Sequence, residues 1–190
     1  NENDSMDHIL AKTVAGFSDY VREIVPDMIV VHGDRLEAMA GAIVGSFNNI
    51  KVAHIEGGEV SGTIDEVVRH AISKMAHIHF VANEEAERRL IQLGELRSCI
   101  HIIGSPDIDV MNSSELPTIE EVREYYGIRF EKYAILIFHP VTTEVKDIRR
   151  QVSVLIDAII SSAENFVVLY PNNDHGTDLI LDEYRRLHDL

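Results

Sequence analysis

Short apolar runs alternate with stretches of helical period, and that alternation leaves a chain of this kind few folds to choose from. Met28 to Val31, Val52 to Ile55, Ile78 to Val81 and Ile100 to Ile103 are four such runs. Runs that are apolar on both sides suit parallel strands covered on both faces, whereas a strand with one wet face would alternate. Between them lie helical patterns: an Ala-rich one over Leu36 to Phe47, one over Asp65 to Ala76, and Glu84 to Leu93, which Asn83 can cap. A further helix over Ile9 to Ile24 precedes the first run and is ended by Pro26. Strand, helix, strand in this rhythm predicts right-handed crossovers and a parallel α/β sheet.

The pattern breaks at Asn112 to Thr118 (NSSELPT), a polar stretch with a proline. A short helix over Ile119 to Tyr126 follows. Tyr133 to Phe138 then opens a new unit, with a helix over Glu144 to Ser162 and a strand over Phe166 to Tyr170. The expected organisation is residues 1–113 as most of one Rossmann-like domain, 114–130 as a linker region, and 131–190 as the start of a second. The chain opens without Met and stops inside a helical pattern, DLILDEYRRLHDL, which reads as a fragment.

Charge narrows the partners. The chain carries 32 acids against 17 bases, a net charge of −15. A nucleic-acid binder needs a basic face and a polybasic membrane contact needs clustered cations, so neither is expected. No apolar run approaches the roughly 20 residues of a membrane span, and the opening residues, NENDSMDH, are polar. Cys99 is the lone cysteine, so no intrachain disulfide can form. These features read as a cytoplasmic protein.

The chemistry-bearing residues gather just past the strand ends, where ligands bind in open α/β sheets. His32-Gly33-Asp34-Arg35 follows the first run. Asp34 can act as a base or cap the next helix, and Arg35 can grip a phosphate. His54-Ile55-Glu56-Gly57-Gly58 repeats the design, and its paired glycines would let a ligand come close to the backbone. Thr63 and Glu66 have the spacing of a capping box, which accounts for Glu66 but not for Asp65. Asp65 and Arg69, four apart, share a helix face and could be a surface ion pair. His139 ends a later strand beside a helix start at Thr143, where free N–H groups favour anions. Tyr170-Pro171-Asn172-Asn173-Asp174 ends the next as a polar turn. His70, His77 and His79 lack metal-site spacing, so no metal is expected there. There is no P-loop, no GxGxxG and no GxSxG.

Taken together, VHGDR (Val31 to Arg35), HIEGGEVSGTIDE (His54 to Glu66), RHAI (Arg69 to Ile72), HPVTT (His139 to Thr143) and YPN (Tyr170 to Asn172) resemble the UDP-N-acetylglucosamine 2-epimerase family. The wording of the HIEGGEVSGTID run is similar to the hydrolysing branch, which serves sialic acid biosynthesis. The resemblance covers nearly the whole chain. It implies a two-domain, Rossmann-like architecture of the glycosyltransferase-B type with a UDP-sugar between the domains, as a homo-oligomer (dimer or tetramer). It also implies that the family's opening strand, its basic phosphate loop and most of the second domain lie outside this chain.

Carried over by position, Asp34, Glu56 and Asp65 match the acid/base carboxylates. Arg35, His139 and Asn172 match residues that contact UDP, Arg69 matches an arginine of the catalytic helix, and Glu66 stands where relatives also have an acid. The implied reaction removes the C2 proton as UDP leaves C1, hydrates the glycal at C1 and reprotonates C2, giving N-acetylmannosamine and UDP with no metal or redox cofactor. Three alternatives stand beside it: a hydrolysing 2-epimerase for a UDP-2,4-diacetamido sugar, a glycosyltransferase of the same architecture, and a non-catalytic nucleotide-sugar module.

Overall fold

A computed structural model describes residues 5–141, 144–172 and 176–187. Helix α1 (Met6–Ile24) leads into strand β1 (Met28–His32), then α2 (Leu36–Phe47), β2 (Lys51–Ile55), α3 (Ile64–Met75), β3 (Ile78–Val81), α4 (Glu84–Gln92), β4 (Ile100–Ile102) and α5 (Pro106–Met111). The four strands form one sheet in the order β1-β2-β3-β4, every pair parallel. A second sheet pairs β5 (Ala134–Ile137) with β6 (Phe166–Leu169), also parallel, after α6 (Ile119–Tyr126) and around α7 (Val145–Ser162), with α8 (Thr177–Tyr184) following. The chain divides into two compact units, residues 1–114 and 115–190. Among the described residues no helix is long and apolar enough to cross a membrane.

In the first unit, small residues let α2 lie close on the sheet. A Cβ on Gly41 would stand 2.8 Å from a Val31 methyl, and one on Gly45 would meet Val52 and Ile29. The Ala-rich face of α2 thus seats Ala38, Ala42 and Val44 against Ile29, Val31 and Val52, with Val21 of α1 and Ile72 of α3 completing the core. Removing such surface from water contributes roughly 25 cal/mol per Å² of apolar area. Val81, Ala86, Leu90 and Ile100 form a separate cluster under α4. Asn83 caps that helix as its sequence predicts, its Oδ1 accepting from the Glu85 and Ala86 N–H groups at 3.0 and 2.9 Å.

The second unit gathers Leu136, Ile148, Val152, Ile156, Ile180 and Tyr184 between β5, α7 and α8. Helix α6 lies within the stretch read as a linker and opens on a complete capping box. The Thr118 hydroxyl accepts from the Glu121 N–H at 3.2 Å, and Glu121 Oε2 accepts from the Thr118 N–H at 2.7 Å.

Candidate active site

Because all strands of the first sheet run the same way, their carboxyl ends share one edge, and the ladder extends past them. The Gly33 N–H donates to the Ile55 carbonyl at 3.0 Å, and the Glu56 N–H to the Phe80 carbonyl at 2.8 Å. This aims Glu56 out of the end of β2. Glu56 sits at φ +63°, a left-handed conformation that costs a non-glycine residue energy and persists where the surroundings enforce it. Two side chains hold its carboxylate. Ser105, just past β4, donates to Oε1 at 2.7 Å, and His32 Nε2, at the end of β1, faces Oε2 at 2.7 Å. The Ser105 hydrogen bond, opposed by burial and joined by His32, holds the Glu56 carboxyl below its ordinary range.

Asp34 is committed elsewhere. It does not cap α2, because its carboxylate meets Arg69 Nη2 from α3. Arg69 Nη1 donates at 3.0 Å to the Glu59 carbonyl. The two side chains are only 21% and 12% exposed, so this pair is screened far less than a surface one. Arg69 therefore turns to Asp34 and not to Asp65, which overturns the surface-pair alternative. Its charge also reaches Glu56, so Asp34, Glu56 and Arg69 form one neighbourhood. Beneath them His54 is fully buried. Its Nε2 lies 2.8 Å from the Gly33 carbonyl and its Nδ1 3.0 Å from the Ser73 hydroxyl. A carbonyl can only accept, so Nε2 carries the proton and Nδ1 accepts from Ser73. Burial pushes the His54 pKa down to about 4. A neutral imidazole thus pins the turn that carries Asp34.

The loop after Glu56 corrects two expectations. Gly57 and Gly58 serve packing within the protein. A Cβ at Gly57 would stand 2.8 Å from Ser73 Oγ and 2.9 Å from His54 Nδ1, and one at Gly58, at φ +82°, would stand 2.5 Å from the Ala86 carbonyl oxygen. The expected capping box at Thr63 and Glu66 is likewise not formed. Thr63 Oγ1 donates to Asp65 Oδ2 at 3.1 Å, while Glu66 Oε2 reaches past it to accept from the Ser61 and Gly62 N–H groups at 2.8 and 2.7 Å. Those two bonds hold the Glu66 carboxyl below its ordinary range. Asp65 is exposed on the first turn of α3. Arg35 is exposed at the N-cap of α2, where with His32 and Glu37 it lines a groove along the open edge of β1.

In the second unit, His139 and Asn172 are brought together past the ends of β5 and β6. The Asn172 backbone N–H donates to His139 Nδ1 at 3.4 Å, which leaves Nε2 as the ring's own N–H. The Asn172 carbonyl accepts from Thr177 at 2.7 Å. Thr142, Thr143, Asn173 and Asp174, also read as part of this site, lie outside the described residues. The histidines weighed for metal go separate ways. His77 Nδ1 accepts from the Val52 N–H at 3.2 Å, His79 Nε2 faces Glu95 at 3.3 Å, and His70 lies 3.9 Å from Glu66. Among the described residues no cluster of three His, Cys, Asp or Glu is arranged to hold a metal ion.

Sequence reasoning did not single out Ser105 or Ser73. Ser105 lies 49 residues from Glu56 and Ser73 lies 19 from His54, so only strand register reveals either pairing.

All 190 residues match the family model described as UDP-N-acetylglucosamine 2-epimerase. The chain is 53% identical, over 96% of its length, to a UDP-N-acetylglucosamine 2-epimerase of Neisseria meningitidis. It is 38% identical, over 94%, to the UDP-N,N'-diacetylbacillosamine 2-epimerase (hydrolyzing) of Legionella pneumophila. It spans about half the length of these curated relatives, 48% of each. The solved UDP-GlcNAc 2-epimerase of Methanocaldococcus jannaschii, in complex with UDP-GlcNAc and UDP, superimposes with a TM-score of 0.78 at 22% identity, over 99% of this chain and 53% of that one. That likeness shows the Rossmann-like, glycosyltransferase-B type of α/β fold.

Proposed function

The chain belongs to the UDP-N-acetylglucosamine 2-epimerase family, and on that premise we propose that it carries the catalytic carboxylates of a hydrolysing UDP-N-acetylglucosamine 2-epimerase. The observation that carries this reading is the pair of strand-end carboxylates in unlike settings. Glu56 is held by two neutral-capable donors and stays free to exchange a proton. Asp34 is locked to the guanidinium of Arg69. A reaction that removes a proton from one face of C2 and returns it to the other needs separate groups. Asp65, on the first turn of α3 and oriented by Thr63, is the third.

In the proposed sequence one carboxylate takes the C2 proton. The C–H electron pair becomes the C1=C2 bond of a glycal, and the C1–O bond breaks with its electrons leaving on UDP. Water then adds at C1 and a second carboxyl group returns a proton to C2 from the opposite face. The atoms sum to UDP-N-acetylglucosamine plus water giving N-acetylmannosamine plus UDP. Arg35, and His139 with Asn172, would hold the departing diphosphate and nucleotide. Arg35 would supply charge-assisted bonds that strengthen as charge develops. Arg69 and Glu66 would act at the sugar through the loop they hold. General acid/base help of this kind contributes roughly 10²–10⁴-fold per group. The partner is a UDP-sugar, and assembly is as a homo-oligomer.

A second reading has a specific observation behind it: the Legionella relative's name specifies a diacetamido sugar and hydrolysis. Incubating the full-length protein with UDP-N-acetylglucosamine or UDP-N,N'-diacetylbacillosamine in D₂O, with NMR of the products, separates them. Free N-acetylmannosamine deuterated at C2 supports the reading. A UDP-linked epimer removes the hydrolytic step. Turnover of the diacetamido sugar alone transfers the chemistry to that substrate. Reaction only in the presence of an acceptor sugar makes the protein a transferase.

A further inference from the structure

We propose that Ser105 is a positioning residue of the reaction, fixing which lone pairs of Glu56 are presented to the sugar. The inference rests on the reading of Glu56 as a proton-transferring carboxylate.

Ser105 sits where a serine usually has another task. It is the N-cap of α5, with an extended backbone at φ −96° and ψ 127° and Pro106 at the first helical position. An N-cap serine normally turns its oxygen to a free N–H of the first turn. Here the hydroxyl instead donates out of the helix to Glu56 Oε1 at 2.7 Å. The bond also spans the sheet. Glu56 follows β2 and Ser105 follows β4, so the contact crosses the end of β3. A cap given up for a contact two strands away is hard to explain by local stability.

The geometry says what the contact does. A carboxylate has about four lone-pair sites. Ser105 fills one on Oε1 and His32 faces one on Oε2, so the plane of the carboxylate is fixed and the remaining lone pairs point away from both donors. The αL backbone of Glu56 limits its other rotations. Three strand ends thus set one group. Among the described residues, the charged or titratable groups that act most strongly on Glu56 are His32 from β1 and Arg69 from α3. Ser105 itself does not titrate, so its loss leaves their number unchanged.

The sign follows from the bonding. Ser105 donates to the ionised form and favours it. Without it Glu56 protonates at higher pH, and a base is lost over that range. In the full-length protein, with UDP-N-acetylglucosamine, Ser105→Ala should move the acid limb of the kcat/KM profile to higher pH. The rate should fall at all pH values, because the carboxylate is no longer held in one plane, and roughly 10-fold further at the acid end, with KM changed little. Ser105→Thr, which keeps the hydroxyl, should restore the limb. Ser105→Gly serves the same purpose as Ser105→Ala if the latter does not fold. An unmoved acid limb, or a rate that recovers fully at high pH, overturns the proposal while an inactive Glu56→Gln leaves the catalytic reading standing. A fully active Glu56→Gln overturns both.

Discussion

The two units share a plan, parallel strands backed by helices, but they treat polar groups in opposite ways. Among the described residues, the buried polar side chains are His54, Ser73 and His79, all in the first unit. The second unit's core cluster is aliphatic apart from Tyr184, whose hydroxyl burial pushes towards the neutral form. Their strand ends differ in the same sense. In the first, side chains bond side chains: Ser105 and His32 to Glu56, Arg69 to Asp34. In the second, His139 is held by the backbone N–H of Asn172. A wired carboxylate is prepared to move protons, whereas an imidazole presenting one N–H is prepared to grip. Under the proposed function, proton transfer belongs to the first unit, which also carries Arg35, and the second unit contributes binding alone.

The largest test of that division is Glu56→Gln. It keeps the shape and removes the base, so kcat in the full-length protein should fall by roughly 10²–10⁴-fold, with UDP affinity within a few-fold. Calorimetric titration beside steady-state kinetics checks both halves. A loss of UDP affinity as large as the loss of rate would erase the distinction between the units.

Acid should separate the units next. His54 has a folded pKa of about 4 against 6.5 for the free side chain. Between those values the unfolded chain binds the extra proton, so stability is fully present above about 6.5 and is lost as pH falls towards 4. The difference corresponds to about 3 kcal/mol once pH is below both values. Hydrogen exchange followed from pH 7 down to 4 should show β2 opening progressively while α7 keeps its protection. Equal acid sensitivity in both, or none in β2, would remove His54 as the cause. Ser73→Ala should lower stability at every pH but shrink the acid effect, because the lost donor favoured the neutral imidazole.

The grip should respond on a smaller scale. Arg35→Ala removes a charge-assisted contact of about 1.5–3 kcal/mol and should weaken UDP binding roughly 10- to 100-fold. Arg35→Lys should recover part of this, since an ammonium lacks the planar fork. His139→Ala should cost less, about 10-fold or under, for a neutral donor. Asn172→Ala should leave His139 in place, because the bond between them uses backbone. If all three alanine variants bind UDP as the parent does, the nucleotide lies elsewhere.

Much of the fold was legible because the apolar runs are short and nearly continuous, so β1, β2, β3 and their intervening helices fall within a residue or two of the sequence reading. Asp34 and Glu56 were singled out because they follow those runs, and Arg69 because it shares a helix face with Asp65. Their pairings were not legible. Asp34 meets Arg69 from 35 residues away and Glu56 meets His32 from 24, and no local pattern carries such distances. The glycines after Glu56 were misread as room for a ligand, since the helix carrying Ala86 that presses on Gly58 is invisible in one dimension.

The smallest prediction uses two helix starts with one spelling. Thr63-Ile64-Asp65-Glu66 and Thr118-Ile119-Glu120-Glu121 both satisfy the Thr-x-x-Glu rule. Only the second closes the capping box. At the first, Glu66 is drawn back to Ser61 and Gly62, and the Thr63 hydroxyl is spent on Asp65. The reason is the loop before the helix, which turns through Gly62 at φ +70° and offers Glu66 two N–H groups ahead of Thr63. Thr118→Ala should then cost about 1 kcal/mol of stability in the second unit and leave turnover unchanged. Thr63→Ala should cost less stability but lower kcat, because Asp65 loses the donor that orients it. Denaturant midpoints and kcat for both variants decide the matter. If Thr63→Ala destabilises as Thr118→Ala does and turnover is untouched, the first helix start is ordinary capping, and Asp65 is not set by Thr63.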